Sequence, residues 1–354
     1  MQKTFALAEN GRGYTSPNPV VGALLVKDNK IISDGYHQKY GKDHAEVVAL
    51  KKAGNQAEGS TLYVNLEPCS IYGKTPPCAD AVIKAGIREV FIGMLDPNPK
   101  VNGNGVKKLR EAGIKVNTGI LEKQARELNR GFISAMERSR PWLTLKLALT
   151  TDGYIGDITG KSQWITSDKA REFVKDQRNQ HDSVMVGIGT VFKDDPSLLP
   201  QNRDGFIPRR IVIDDQLLIP YRMKLVSDTY KKKTLIVTTQ DKKSKKTNEL
   251  NKIGVKIIQP AANEFGWVEL EDALKKICDE GISSIYCEGG GLIAGSLITQ
   301  KLIDELQILI APKIIGEGIF SFSGFNRILD EAIELEWDEP QKLGPDILLR
   351  GKLL

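Results

Sequence analysis

Cysteine and histidine are scarce in this chain, four and three among 354 residues. So few thiols over such a length argue against a disulfide framework. No uninterrupted apolar stretch is long enough to cross a bilayer. The opening residues, MQKTFALAENGRGYTSPNPVVGA, hold no apolar core of signal-peptide length. A cytoplasmic protein with no membrane partner is therefore expected. Aromatic residues make up only 6% of the chain and the net charge is a modest +5. Neither calls for nucleic acid, whereas a mild positive charge suits anionic small molecules. What remains is an ordinary globular composition, 40% hydrophobic and 27% charged, over a length that predicts about two domains.

The scarce residues are not scattered. His44-Ala45-Glu46 is followed by Pro68-Cys69 and then Cys78. One imidazole and two thiolates are protein ligands for Zn²⁺ that leave its fourth tetrahedral position to water, the mark of a catalytic site. Bound zinc brings the pKa of that water to roughly 7, and Glu46 would pass its proton to a leaving ammonia. The order matches the H-x-E…P-C-x-x-C pattern of zinc deaminases that act on nucleobase rings, but here eight residues separate the cysteines. Taken singly, a surface His-Glu pair and core cysteines are the ordinary readings; for the whole set the alternative is a structural zinc. His44 opens the amphipathic run HAEVVALKKAG. Cys69 follows the strand-like TLYVNLEP, and Cys78 follows Pro76-Pro77 at a helix start. His44 and Cys78 are thus expected at helix N-termini, where the dipole favours thiolate. Cys278 and Cys287 repeat the nine-residue offset, yet have no nearby histidine and read as buried structural thiols. His181 is similarly isolated.

Strands and helices alternate along the first part, which implies an α/β fold with helices covering a sheet. PVVGALLVKDNKIISDGYH reads as a hairpin turning at Asp28-Asn29. LEKQARELNRGFISAMERS reads as one longer helix. Pro141 and a change of pattern place a domain boundary there, giving domains 1–140 and 141–354. In the second part SDKAREFVKDQRNQ is a helix leading to the strand HDSVMVGIG. Thr190-Val191 and an acidic turn, Asp194-Asp195-Pro196, follow. The strand SSIYC runs through Glu288 into Gly289-Gly290-Gly291 and a helix. Bare glycine amides at a helix start can bind phosphate; a tight strand-to-helix turn is the alternative. A Rossmann unit is not expected, because no acidic residue closes a following strand about 20 residues on. KKSKK at 242–246 reads as a solvated loop.

Thr15-Ser16-Pro17-Asn18-Pro19-Val20-Val21-Gly22, the HAE triplet and EPCSIYGKTPPC resemble the deaminase half of a known family. KLALTTDG, SQWITSDKAR, VGIGTVFKDDPSLL and EGGG with LIDELQILIAPKIIG resemble its reductase half. The family is that of bifunctional riboflavin-biosynthesis proteins, and the resemblance covers nearly the whole length. It implies a cytidine-deaminase-like three-layer N-terminal domain and a dihydrofolate-reductase-like C-terminal domain. It implies hydrolytic deamination of 2,5-diamino-6-(5-phosphoribosylamino)pyrimidin-4(3H)-one, then NADPH-dependent reduction of the ribosyl chain to give 5-amino-6-(5-phosphoribitylamino)uracil. The family pattern makes His44, Cys69 and Cys78 the zinc ligands and Glu46 the general acid/base, with Asn18, His37 and Lys74 holding the pyrimidine and its phosphate. In the reductase it places Lys146, Ser162, Arg178, Leu198 and Glu288 at the substrate. Ala148, Trp164, Thr190, Asp194, Gly289, Gly290 and Gly291 line the dinucleotide. A lysine–carboxylate pair, with Lys146 and Asp194 as the catalytic groups, would assist proton movement at the sugar; salt-bridge and turn roles are the plain alternatives for these two. A homo-oligomer is expected.

The chain departs from the family pattern in places. Ile71 stands where the family usually carries histidine, and Leu199-Pro200-Gln201 stands where it carries arginine, for which Arg203 is a candidate replacement. TTDG replaces the commoner SLDG, and the short start implies a clipped first helix. Two rivals belong to other classes: a tRNA-editing deaminase with an appended RNA-binding domain, and a non-catalytic zinc-stabilised scaffold.

Overall fold

The computed structural model describes residues 1–202 and 205–354, which form two compact units, Met1–Ser139 and Arg140–Leu354. Arg203 lies outside the described residues. The first unit runs α1 (Gln2–Glu9), β1 (Gly22–Lys27), β2 (Lys30–Tyr36), α2 (Ala45–Ala53), β3 (Thr61–Leu66), α3 (Cys78–Lys84), β4 (Glu89–Met94), α4 (Asn104–Glu111), β5 (Lys115–Asn117), α5 (Glu122–Leu128) and α6 (Arg130–Arg138). Its sheet has the order β2-β1-β3-β4-β5. β1 is antiparallel to both neighbours, while β3, β4 and β5 are parallel. The hairpin turns through Asp28 and Asn29 at φ 49° and 58°, the left-handed pair that a two-residue turn between twisted strands requires.

Two glycines reveal the layers. Gly35 pairs with Ala23, the residue after Gly22, so Gly22 and Gly35 face opposite sides of the sheet. A Cβ on Gly22 would lie 2.1 Å from Thr4 O in α1, and one on Gly35 would lie 2.5 Å from Ala45 O in α2. Helices therefore press on both faces, and the first unit is an α/β/α sandwich around Leu25, Leu62, Val64 and Ile92.

The segment expected as one helix is two, α5 and α6. Asn129 interrupts it at φ −109°, ψ 21°. Its side chain turns inward, with Oδ1 accepting from Val20 N–H at 2.9 Å and Nδ2 donating to Val20 O at 3.1 Å. Asn65 grips the same stretch, donating to Val20 O at 3.0 Å and accepting from Gly22 N–H at 2.8 Å. Those buried amides are worth more to the fold than an unbroken helix.

The second unit runs β6 (Trp142–Thr150), β7 (Tyr154–Asp157), α7 (Asp168–Gln180), β8 (Ser183–Gly187), α8 (Ile188–Asp194), β9 (Arg209–Ile213), α9 (Lys224–Ser227), β10 (Thr234–Val237), α10 (Lys245–Lys252), β11 (Lys256–Ile258), α11 (Leu270–Asp279), β12 (Ser284–Cys287), α12 (Gly291–Thr299), β13 (Glu305–Ala311), β14 (Gly318–Phe320), β15 (Leu335–Trp337), β16 (Gln341–Leu343) and β17 (Asp346–Leu353). Strands β11-β10-β9-β8-β12-β6-β13 are parallel neighbours, and β17 closes on β13 antiparallel. Ser167 caps α7, accepting from Ala170 N–H, and is itself anchored on Asp346 at 2.5 Å. Alternate residues of β12 face opposite cores: Ile285 and Cys287 pack with Leu143 and Leu145, while Tyr286 packs with Val174 of α7. Thr190 and Val191, read only as a link between strand and turn, lie in α8. Cys278 is partly exposed, not buried, whereas Cys287 is buried.

Replacing Asn129 with Ala orphans the buried Val20 N–H. The expected loss is about 1–3 kcal/mol, read as a lower urea midpoint for the unfolding of the first unit. An unchanged midpoint would show that the amide clamp is dispensable.

Candidate active sites

At the carboxyl end of β3 the chain leaves the sheet through Glu67, Pro68 and Cys69. Glu67 is buried, and its carboxylate accepts backbone N–H groups from Asp96 at 3.1 Å, Gly103 at 3.0 Å and Val106 at 3.1 Å. These bonds seat the segment ahead of α4 under Pro68, where a Cβ on Gly105 would come 2.1 Å from Pro68 O. The first turn of α3 then docks on Cys69: Ala79 N–H donates to Cys69 O at 3.1 Å, and Cys78 N–H to Cys69 Sγ at 3.3 Å. His44, the N-cap of α2, comes in from the other side. Its Nδ1 lies 3.6 Å from Cys69 Sγ and 3.2 Å from Cys78 Sγ.

The three ligand atoms lie within 4.8 Å of one another. A tetrahedral zinc with bonds of about 2.0 Å to N and 2.3 Å to S sets N···S separations near 3.5 Å, so this donor set fits zinc. Thr75 Oγ1 lies 3.5 Å from His44 Nε2, in the place of the outer hydrogen bond that orients metal-binding imidazoles. Neither Thr75 nor Glu67 stood out in the sequence. A hydroxyl and a carboxylate that act on neighbours carry no spacing signature.

Glu46, in the first turn of α2, is buried, and among the described residues its Oε2 has no hydrogen-bond partner. Burial pushes its carboxyl up to about 7. The Cys69 thiol is held down to about 4, first by the hydrogen bond from Cys78. His37 packs edge-on against His44, with ring centroids 5.1 Å apart. Its Nδ1 lies 3.0 Å from Asp43 O, which can only accept, so Nδ1 carries the proton and Nε2 accepts from Asn18 Nδ2 at 3.2 Å. Burial lowers the His37 pKa and favours this neutral form. Lys74 Nζ sits 4.1 Å over the Tyr40 ring, and Ile71 and Tyr72 on the same loop are exposed.

In the second unit a groove of about 1370 Å³ runs along the carboxyl edge of the parallel strands. Lys146, Ala148, Ser162, Trp164, Arg178 and Thr190 line it, as do Asp194, Leu198, Glu288, Gly289, Gly290 and Gly291. β12 stops at Cys287, opposite Leu145, which leaves Lys146 uncovered beside Glu288. Arg178 forks onto Glu288, Nε to Oε1 at 2.6 Å and Nη2 to Oε2 at 2.9 Å, and donates from Nη1 to Leu199 O at 2.8 Å. Burial works to raise the Glu288 pKa, but Arg178 overrides it and holds the carboxyl below its usual range. Burial lowers the Lys146 pKa, and the opposite charge that weighs most on it is Glu288, with Asp194 weaker. Asp194, whose pull on Lys146 is the weaker of the two, accepts from Gln163 Nε2 at 3.0 Å. Leu198 is buried at φ 54°, a conformation uncommon for a leucine. Asp215 and Lys224 line the groove as well; the sequence alone drew attention to neither, since the turn after β9 and the helix α9 carry no motif.

A zinc-binding deaminase module followed by a reductase domain is the class these two units define. Residues 1–94 match the family model of the cytidine and deoxycytidylate deaminase zinc-binding region, and residues 141–349 match that of the RibD C-terminal domain. The riboflavin biosynthesis protein RibD of Aquifex aeolicus is 40% identical over 99% of this chain and 96% of its own length. That of Escherichia coli K12 is 36% identical over 99% and 97%. Among solved structures, Acinetobacter baumannii RibD (form 1) superposes with TM-score 0.90 at 33% identity, covering 100% of this chain and 97% of that one. A deaminase/reductase from Thermotoga maritima superposes at TM-score 0.89 and 33% identity, with the same coverage. The chain belongs to the RibD family, and its fold is the cytidine-deaminase-like domain joined to a RibD reductase domain. Both rival functions are thereby set aside.

One zinc per chain is expected by elemental analysis of the purified protein. Cys78→Ser should lose it, and Gly105→Ala should weaken its retention against a chelator by displacing Pro68 and Cys69. Full zinc in Cys78→Ser would remove Cys78 from the ligand set.

Proposed function

We propose that the two activities of this bifunctional riboflavin-pathway enzyme are divided between its units, with residues 1–140 as the deaminase and 141–354 as the reductase. Its cofactors are Zn²⁺ and NADPH. The observation that carries the division is the separate convergence of two residue sets, His44, Cys69 and Cys78 with Glu46 in one unit, and Lys146, Arg178 and Glu288 in the other. We further read the chain as a cytoplasmic homo-oligomer acting on a small phosphorylated pyrimidine, with no nucleic acid or membrane partner. The modest charge supports the small-molecule part, and no helix among the described residues is long and apolar enough to cross a membrane.

In the deaminase, His44 Nδ1 and the two thiolates would hold zinc, which when bound supplies an acidified water at neutral pH. Glu46 Oε2 is the unpartnered atom beside that site, and a carboxyl titrating near neutrality both takes and returns a proton. It moves one proton to the departing 2-amino group. Asn18 and His37 present their polar edges to the pyrimidine, and Lys74 offers its charge to the phosphate.

In the reductase NADPH supplies the hydride. For C1′ to accept it the sugar must open. The glycosyl nitrogen's electron pair forms the C1′=N bond as C1′–O4′ breaks, and O4′ takes a proton. Lys146 Nζ, made more acidic by burial, is the donor. Glu288, held ionised by Arg178, keeps Lys146 charged until then. Ser162 and Leu198 complete the substrate end, while Ala148, Trp164, Thr190, Asp194 and the Gly289–Gly291 turn serve the dinucleotide.

Two substitutions should dissociate the activities. Glu46→Gln should retain zinc and lose deamination by a factor on the order of 10²–10⁴, with reduction of supplied deaminated substrate unchanged. Lys146→Ala should do the reverse. Equal loss of both activities in either variant would defeat the division. A separate expectation concerns Ile71, which cannot donate the hydrogen bond an imidazole could. Ile71→His should lower the deaminase KM by about ten- to a hundred-fold, the worth of a charged hydrogen bond of roughly 1.5–3 kcal/mol, without changing zinc content. A KM that stays level or rises would show that the loop has repacked around Ile71.

A further inference from the structure

The groove continues beyond the glycine turn. β9, β8, β12 and β6 are adjacent parallel strands, with Gly187 opposite Ile213, Met185 opposite Cys287 and Leu145 opposite Cys287. Along their carboxyl edge stand, in order, Lys146 and Glu288, the β12–α12 glycines, Gly187, and Asp215 two residues past the end of β9. Strands about 4.8 Å apart make this edge roughly 14 Å long from β6 to β9.

The inference rests on the reductase reading above. With the nicotinamide beside Lys146 and the pyrophosphate over the glycine turn, the adenosine ribose falls at the β9 end. Asp215 is fixed there. Its Oδ1 accepts from Val268 N–H at 2.6 Å, and its backbone carbonyl accepts from the Thr238 and Thr239 hydroxyls, each at 2.9 Å. Among the described residues its Oδ2 has no hydrogen-bond partner, and the side chain borders the groove. Two of the described cations near this end are engaged. Lys224 Nζ donates to Asp195 O at 3.0 Å, and Arg210 is forked by Asp228 at 2.6 and 2.9 Å. Lys193, a further lysine of the groove lining, lies against Gly156 and Gly160, in and just beyond β7.

A carboxylate accepts a hydrogen bond from a ribose 2′-hydroxyl and repels a 2′-phosphate. Rossmann sites, on a different fold, use an acid in this way for the unphosphorylated cofactor and a nearby arginine for the phosphorylated one, and the same charge logic applies to this groove. We propose that Asp215 is a cofactor-specificity residue that erodes this chain's preference for the 2′-phosphate, so that NADH is taken alongside NADPH.

The test is equilibrium binding to the full chain, with NADP⁺ and NAD⁺ titrated by calorimetry against the wild type and Asp215→Asn. Asparagine keeps an oxygen for Val268 N–H and removes the charge. The wild-type dissociation constants for the two should differ by less than about 30-fold, and Asp215→Asn should tighten NADP⁺ on the order of tenfold while leaving NAD⁺ level or weaker. A larger wild-type difference, or an unchanged ratio in Asp215→Asn, overturns the proposal and leaves the reductase reading standing. Binding of neither dinucleotide overturns that reading and the proposal with it. Should Asp215→Asn fail to fold, the wild-type ratio alone decides.

Discussion

A parallel strand pair releases both of its chains at the same edge of the sheet, and each candidate site of this protein stands on such an edge. In the first unit Leu66 of β3 is level with Met94 of β4, and Glu67 N–H still donates to Met94 O at 3.0 Å. Past that bond the two chains part, one carrying Pro68 and Cys69, the other Asp96 and the segment that Glu67 ties down. In the second unit Glu288 N–H donates to Met185 O at 2.8 Å before β12 gives way to its glycines. Strand order therefore decides which residues meet. Lys146 and Glu288 are 142 positions apart in the chain, and become neighbours because β12 lies beside β6.

Buried polar groups at these edges work mostly for the backbone. Loops that leave a sheet carry N–H and C=O groups with no ladder partner, and burying one unpaired costs about as much as a lost hydrogen bond. Glu67 answers three such groups, Asn65 and Asn129 answer Val20 and Gly22, and Asp214 takes Leu218 and Ile219 N–H, both at 2.8 Å. The Arg178–Glu288 pair is of another kind. A buried ion pair is often no more stable than an apolar pair of equal volume, so stability alone does not account for it. What the pair does fix is the place of the Glu288 carboxylate in the groove that Lys146 also lines.

The parts of the fold legible in the sequence were those with local causes. Asp28-Asn29 tolerates left-handed φ, so the hairpin could be placed. Prolines before Cys78 mark a helix start, so the thiol's position could be placed too. The break at Asn129 was not legible, because asparagine is a passable helix residue and only its distant partner Val20 pulls it inward. α8 was hidden because Ile188 and Gly189, its first two residues, read as the end of the preceding strand. The meeting of His44, Cys69 and Cys78 was legible because its two residue types are rare in the chain, whereas Thr75 and Asp215 belong to common types whose meaning comes from what the fold puts next to them.

The Glu288–Gly291 turn shows how a glycine run can answer to two constraints at once. A Cβ on Gly289 would meet Ile293 Cγ2 at 3.0 Å and Cys287 Sγ at 3.2 Å, and one on Gly291 would meet Phe320 O at 2.5 Å and Ser323 Oγ at 2.8 Å. Packing alone thus demands glycine at 291 and crowds any side chain at 289, and both constraints would hold in a turn that bound nothing. Gly290 differs. Its φ of −79° suits any residue, and a Cβ there would meet only Thr190 Oγ1 at 3.8 Å. Neither backbone conformation nor packing excludes a side chain at 290. What a side chain would occupy is the groove itself, at the start of α12, where backbone amides point outward. The middle glycine is therefore the one whose bareness speaks for close approach of a ligand.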